Sequence, residues 1–353
     1  MTLVGIVLHE HQADDRRMWP VGEVVRRVGL EKKAPVTFSM SGITMEAILR
    51  CCSDVAKGMQ WDFANRLTGW DPHKPELVIS THNHMPIVLP GLPLEYWGAY
   101  FEGFVAEQVG KSKSTAEGGL HRTPRGIFPP EMMFAPAAAH TLQNSGLQYA
   151  LIPGEVFGDH RWAKGQVYYV GNHNYGFDIK LLPRVNDISI GDVLNNSAYG
   201  LKERIKHVAR SANIGRVVIG WDMGHFTGLY HYEGRGGYTL HDGITRLCQL
   251  ADEIRSDPEL HLVNCGAVAD SYHYPRKIYD AYREMGIGDP HHFTITWMNG
   301  NGDLSSLSPD KVRQKIDFVI WHTRSLGHHD GQWLQDRKNE FYLHSGTEHM
   351  MHW

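Results

Sequence analysis

The sequence predicts a barrel of parallel strands wrapped by helices, and three observations predict it. Short runs rich in Val, Ile and Leu alternate with helix-like segments along most of the 353 residues. Those runs show little polar/apolar alternation, the pattern of strands buried on both faces. Four of them end in polar, titratable clusters: His9-Glu10-His11, Thr81-His82-Asn83-His84, Pro130-Glu131 and Trp221-Asp222-Met223-Gly224-His225. Parallel strands that all finish in such side chains gather their chemistry at one rim.

In chain order, the strand-like runs are residues 3–8, 35–40, 76–80, 126–128, 147–152, 216–221 and 260–264. Helical periodicity fills the intervals at 44–57, 94–108, 135–143, 201–212, 239–255 and 276–285. The stretch 155–196 breaks this rhythm. Within it, 165–171 and 177–182 predict a hairpin inserted after a strand, over the rim. Beyond residue 308 the chain reads as helical, at 309–325 and 332–343. The expected organisation is therefore a catalytic barrel over 1–307, with the insertion around 155–196, and a C-terminal helical appendage over 308–353.

Composition narrows the function classes. The chain is 42% hydrophobic and 21% charged with a net charge of −4, and it has no Lys/Arg run that would track a phosphate backbone. Nucleic acid is not an expected partner. Four cysteines (Cys51, Cys52, Cys248, Cys265) without CxxC spacing suit a reduced protein rather than a disulfide framework. The apolar run 3–8 is too short for a signal-peptide core, and no stretch approaches the roughly 20 apolar residues of a membrane span. The expected location is cytoplasmic, with no membrane partner; oligomeric state is not legible.

Two carboxylates stand out. Glu131 follows a short strand and the rigid pair Pro129-Pro130, which would hold it at one angle. Alone, such a glutamate is more often a helix N-terminal residue helped by the macrodipole. Asp222 ends the apolar run 216–221, where a turn cap is the plain alternative. Their joint presence at one rim brings the reading as a catalytic pair level with the plain one.

The 23 histidines leave two readings open. His9/His11 and His82/His84 are each two residues apart, so on strands each pair would share a face. Four converging imidazoles, with Asp14 or Asp222, would suit zinc; the same pairs also suit hydrogen bonding to sugar hydroxyls. Trp221 is the tryptophan expected to wall a pyranose ring, because it adjoins Asp222, with Trp19 and Trp162 in rim loops as weaker candidates. Gly234-Arg235-Gly236-Gly237 does not follow a strand as a nucleotide loop would, and no Gly-x-Ser-x-Gly elbow occurs.

Taken together, the clusters resemble glycoside hydrolase family 57, whose members act on α-glucans as amylases, 4-α-glucanotransferases and branching enzymes. Leu8-His9-Glu10-His11-Gln12 resembles the first family region, and Ser80-Thr81-His82-Asn83-His84-Met85-Pro86-Ile87 the second. Phe128-Pro129-Pro130-Glu131 is similar to the third, Leu142 to Tyr149 to the stretch that follows it, and Trp221-Asp222 to the fourth. The resemblance implies an α/β fold, an incomplete TIM-like (β/α)7 barrel, and a retaining hydrolase or transglycosylase needing no metal or other cofactor. It implies Glu131 as nucleophile and Asp222 as acid/base. His9, His11 and His82 would bind the carbohydrate, with Trp221 and His225 beside them, and Trp221 and Phe226 would form an apolar wall for the acid. Phe128 replaces a usual tryptophan, and Gly224 stands where members commonly carry a second glutamate, which points to a substrate other than ordinary starch. The alternatives are a metal-dependent deacetylase on a related barrel, its ion held by His9, His11, His82 or His225, and an inactive sugar-binding protein.

Overall fold

The apolar runs form one mostly parallel sheet in the computed structural model, which describes residues 1–10, 15–64, 70–85, 87–88, 97–157, 159–172, 177–226, 240–272, 275–285 and 308–326. Its strands are β1 (Thr2–Glu10), β2 (Thr37–Met40), β3 (Glu76–Ile79), β4 (Gly126–Ile127) and β5 (Tyr149–Pro153). They continue with β6 (Tyr168–Asn172), β7 (Phe177–Arg184), β8 (Arg216–Asp222), β9 (Leu260–Val263) and β10 (Arg276–Lys277). The hydrogen-bonded order is β10-β6-β7-β5-β4-β3-β2-β1-β8, with β9 also on β1. Only the β6–β7 pairing is antiparallel.

Seven of these strands make the barrel wall: β7, β5, β4, β3, β2, β1 and β8, all parallel. The two ends of that path meet where Val185 N, just past β7, donates to Val218 O of β8 at 2.7 Å. The fold is thus α/β, of the (β/α)7 type. β1 pairs with three other strands. One edge pairs with β8 from Leu3 to His9; the other is shared by β9 near the start of β1 and β2 near its end.

Two separate apolar layers explain why the strands read as continuous hydrophobic runs. Val7, Val78, Phe128, Leu151, Leu182 and Val218 point inward and fill the barrel. Their alternate neighbours, including Leu8, Phe38, Ile79, Ile152, Ile219 and Trp221, point outward and pack under the helices.

The helices follow the expected rhythm with local corrections. The stretch 44–57 is two helices, Gly42–Cys51 and Ser53–Asp62, because Cys52 takes a non-helical φ of −131°. Ser41 starts the first by accepting from Thr44 N. The longest helices are Glu102–Gly119, Leu240–Ser256 and Pro309–Leu326. None is long and apolar enough, among the described residues, to cross a membrane. The hairpin expected over 155–196 exists as β6–β7, but β7 is itself a barrel strand paired with β5. The segment therefore supplies wall as well as rim. Beyond residue 308, Pro309–Leu326 is a helix whose Val312 and Ile316 join the main core, and the helix expected at 332–343 lies outside the described residues.

Candidate active site

The C-terminal ends of the wall strands all open on one mouth, and register brings three polar side chains side by side. His9 of β1 lies opposite Ser39 of β2 on one edge and Asp222 of β8 on the other. His9 is nearly buried, at 4% exposure. Its Nδ1 is 3.1 Å from Ser39 Oγ, and its Nε2 is 3.0 Å from Nε2 of His84. The ring stacks on Phe128, with centroids 4.4 Å apart and 15° between planes. Two facing ring nitrogens need one proton between them, so one histidine donates and the other accepts. The Ser39 hydroxyl can complete either arrangement.

His84 reaches this position through a turn. β3 ends at Ile79, His84 N donates to Thr81 O at 3.1 Å, and His84 adopts a left-handed φ of +54°. Strand alternation therefore does not govern the 82/84 pair, and the two histidines part. His82 backs onto Gly42, where a Cβ would lie 2.0 Å from its Nδ1. Its Nε2 is 3.7 Å from Glu46 Oε1, and burial pushes its pKa down. It is His84 that meets His9.

Asp222 is the last residue of β8, on its inner face. Its side chain keeps 42% exposure while protein surrounds it, as for a group on the wall of an open cleft. Burial pushes its pKa up to about 6, and the positive charge of Arg184 opposes that rise. His225 Nε2 lies 3.9 Å from Asp222 Oδ2 across a single turn, Met223–Phe226. Burial lowers the pKa of His225, which favours the neutral ring near pH 7.

Glu131 lies in the short turn Pro130–Met132 just beyond β4. Two strands separate β4 from β8 one way round the barrel and three the other, so the two strands stand across the mouth from each other. Met132, next in the chain, takes a left-handed φ of +50°. Such conformations in non-glycine residues cluster at functional sites.

The profile of glycosyl hydrolase family 57 matches residues 17–280, well over half of the chain. This chain belongs to that family. No functionally curated protein matches the sequence. Among solved structures, the 4-alpha-glucanotransferase from Thermococcus litoralis superposes with a TM-score of 0.58 at 15% identity, covering 78% of this chain. The chain spans 41% of that enzyme's length. The alpha-amylase AmyC from Thermotoga maritima gives 0.53 at 12% identity, covering 99% of this chain and 95% of its own. A putative polysaccharide deacetylase from Mycobacterium smegmatis gives 0.50 at 14%, with 78% and 93% covered. At such identities these likenesses describe the fold.

In this family 57 chain, Trp221 faces away from the mouth. Adjacent strand residues point to opposite faces, so an inward Asp222 requires an outward Trp221. The indole is 5% exposed, donates Nε1 to Ile188 O at 3.3 Å, and meets Phe226 edge-on at 6.1 Å. Both rings belong to the layer under the helices. Desolvation by the body of the barrel, not an aromatic wall on the substrate side, is what raises the Asp222 pKa. Trp19 is 64% exposed on the helix Asp15–Val24, and Trp162 packs beneath the Arg276 guanidinium, 5.8 Å from the ring centroid. His11 and Asp14 lie outside the described residues.

Among the described residues, no group of three or more His, Cys, Asp or Glu side chains is placed to hold a metal ion. His9 and His84 turn their Nε2 atoms toward each other instead. All four cysteines are free thiols. Two side chains at or near the mouth escaped sequence reasoning: Ser39, hidden in an apolar run, and Arg184, hidden because its strand read as an insertion.

Proposed function

We propose that the chain is a retaining glycoside hydrolase or transglycosylase acting on α-linked glucan oligosaccharides, with Glu131 as nucleophile and Asp222 as acid/base. The observation that carries this reading is Asp222: a cleft carboxylate at the end of a barrel strand, aligned with His9, whose pKa of about 6 lets it hold a proton near neutrality. Membership of family 57 supplies the reaction class. Glu131 would attack the anomeric carbon while Asp222 gives its proton to the departing glycosidic oxygen. Asp222, now a carboxylate, would then take a proton from water or from an acceptor sugar hydroxyl as that oxygen displaces Glu131. This order requires the two carboxyls about 5–5.5 Å apart, one on each face of the scissile bond. His9, its two ring nitrogens held by Ser39 and His84, would line the reacting subsite, and His11 would hydrogen-bond the sugar there.

The test is substitution with folding monitored. Glu131→Gln and Asp222→Asn are each expected to lower turnover on malto-oligosaccharides by about 10³-fold, while circular dichroism and melting stay as in the parent. A mechanism-based fluoroglycoside is expected to label Glu131 covalently. Turnover that survives Glu131→Gln removes that residue as nucleophile. Activity that tracks stoichiometric zinc and vanishes on chelation would instead establish the deacetylase-type reading.

A further inference from the structure

Arg184 closes β7 at the mouth, and three features distinguish it there. The first is space. A Cβ on Gly220 would lie 3.1 Å from Arg184 Cδ, so the glycine two residues before Asp222, on the same face of β8, leaves room for the arginine. The second is an anchor: Arg184 NH2 donates to Glu155 Oε1 at 3.0 Å. The third is unmet bonding capacity, since Arg184 Nε and Glu155 Oε2 are both buried with no hydrogen-bond partner. The guanidinium is thus pinned by one nitrogen to Glu155, its ion-pair partner, while its stem lies against Gly220, on the strand face that Asp222 shares.

Among the other charged groups around Asp222, the proposed mechanism sets Glu131 across the mouth, where it would raise the Asp222 pKa in every variant alike; the cations are committed elsewhere or neutral. From β1, His9 is tied to Ser39 and His84. From the turn after β8, His225 is favoured neutral by burial. From the Arg161–Gly165 turn, Lys164 pairs with Asn186 and Asp187. The helix Ala198–Ser211 packs on the outer side, where Lys202 and Lys206 engage Glu253 and Asp257. Arg184 is the positive charge that faces Asp222 from the barrel wall.

We propose that Arg184, admitted by Gly220 and anchored by Glu155, sets the pH range over which Asp222 delivers its proton. This rests on Asp222 being the acid, so the experiment separates the two claims. The Asp222 carboxyl is titrated by ¹³C NMR in the full chain with labelled aspartate, its signal assigned by loss in Asp222→Asn. The pH dependence of kcat/KM is measured on the same proteins. Arg184→Gln is expected to move the titration, and with it the alkaline limb of kcat/KM, up by about one pH unit. Arg184→Lys is expected to stay near the parent. Glu155→Gln, which removes the arginine's counter-charge, is expected to move both downward, and it serves as the test should Arg184→Gln not fold. An Asp222 titration unmoved in both variants overturns the inference. A titration that moves while the alkaline limb stays in place overturns instead the reading of Asp222 as the acid.

Discussion

The two ends of the barrel each hold a carboxylate that burial pushes upward, Asp222 to about 6 at the mouth and Glu76 to about 7 at the base. Their surroundings differ in every other respect. Glu76 is completely buried; its Oε2 accepts from Gly266 N at 2.9 Å and from Thr37 Oγ1 at 3.3 Å. Its charge helps raise the pKa of the neighbouring, fully buried Tyr149. Thr37 in turn accepts from Cys265 N at 2.8 Å, so the cluster ties the starts of β2 and β3 to the helix Cys265–Asp270. Asp222 has a histidine at 3.9 Å and an open face. A perturbed carboxylate marks a reactive site only where a substrate can reach it. The base of the barrel has the perturbation without the access, and its role is structural.

That contrast can be broken by experiment. The largest expected effect is the pair of opposites Asp222→Asn and Glu76→Ala. The first is expected to lower turnover by about 10³-fold and to leave melting intact, as above. The second is expected to cost about 2–4 kcal/mol of stability, by leaving a cavity and unpaired buried donors, while kcat of the folded fraction holds. Chemical denaturation with activity per folded molecule checks both; a catalytic defect in stable Glu76→Ala would erase the distinction.

Next comes pH. A carboxyl raised from 4.5 to about 7 in the folded state favours the protonated form. Its contribution to stability is complete below about pH 4.5, declines as pH rises to about 7, and is constant above that. The span is of order 3 kcal/mol. Glu76→Gln, which keeps shape and removes the titration, is expected to flatten that decline relative to the parent in denaturation series between pH 4.5 and 8. Equal slopes would show that Glu76 does not titrate there.

A smaller effect separates the two histidines after β3. His84→Ala removes the partner of His9 and is expected to lower kcat/KM by up to about tenfold, the worth of one hydrogen bond. His82→Ala, on the far side of the turn, is expected to change it less. The reverse ranking would return the sugar-binding role to His82. Least is expected of Trp221→Phe: a modest loss of melting temperature and an unchanged KM, because the indole lies behind the strand. A several-fold rise in KM would put the ring in the cleft.

Much of the architecture was legible before any coordinates. Doubly buried strands must be apolar on both faces, so residues 3–8, 76–80 and 216–221 announced themselves. The polar clusters after them announced the rim. β7 was misread because Phe177-Asp178-Ile179-Lys180 alternates as an exposed hairpin strand does, and one sequence cannot say which partner a strand takes. The expectation that Trp221 walls the cleft rests on adjacency in sequence, whereas strand geometry turns neighbours to opposite faces and the indole packs in the outer layer. The 82/84 pair failed for the opposite reason, as strand alternation was applied to a turn.

By itself the sequence determined which segments bury both faces, which strand ends carry titratable groups and, through its motifs, the family to which the chain belongs. Those are local properties, written in side-chain type and spacing. The tertiary structure alone decided that His84 meets His9, that β7 brings Arg184 beside Asp222, and that Glu76 is sealed where Asp222 is open. Each depends on register, turn conformation or the distance to solvent, and such quantities exist only once remote segments have packed.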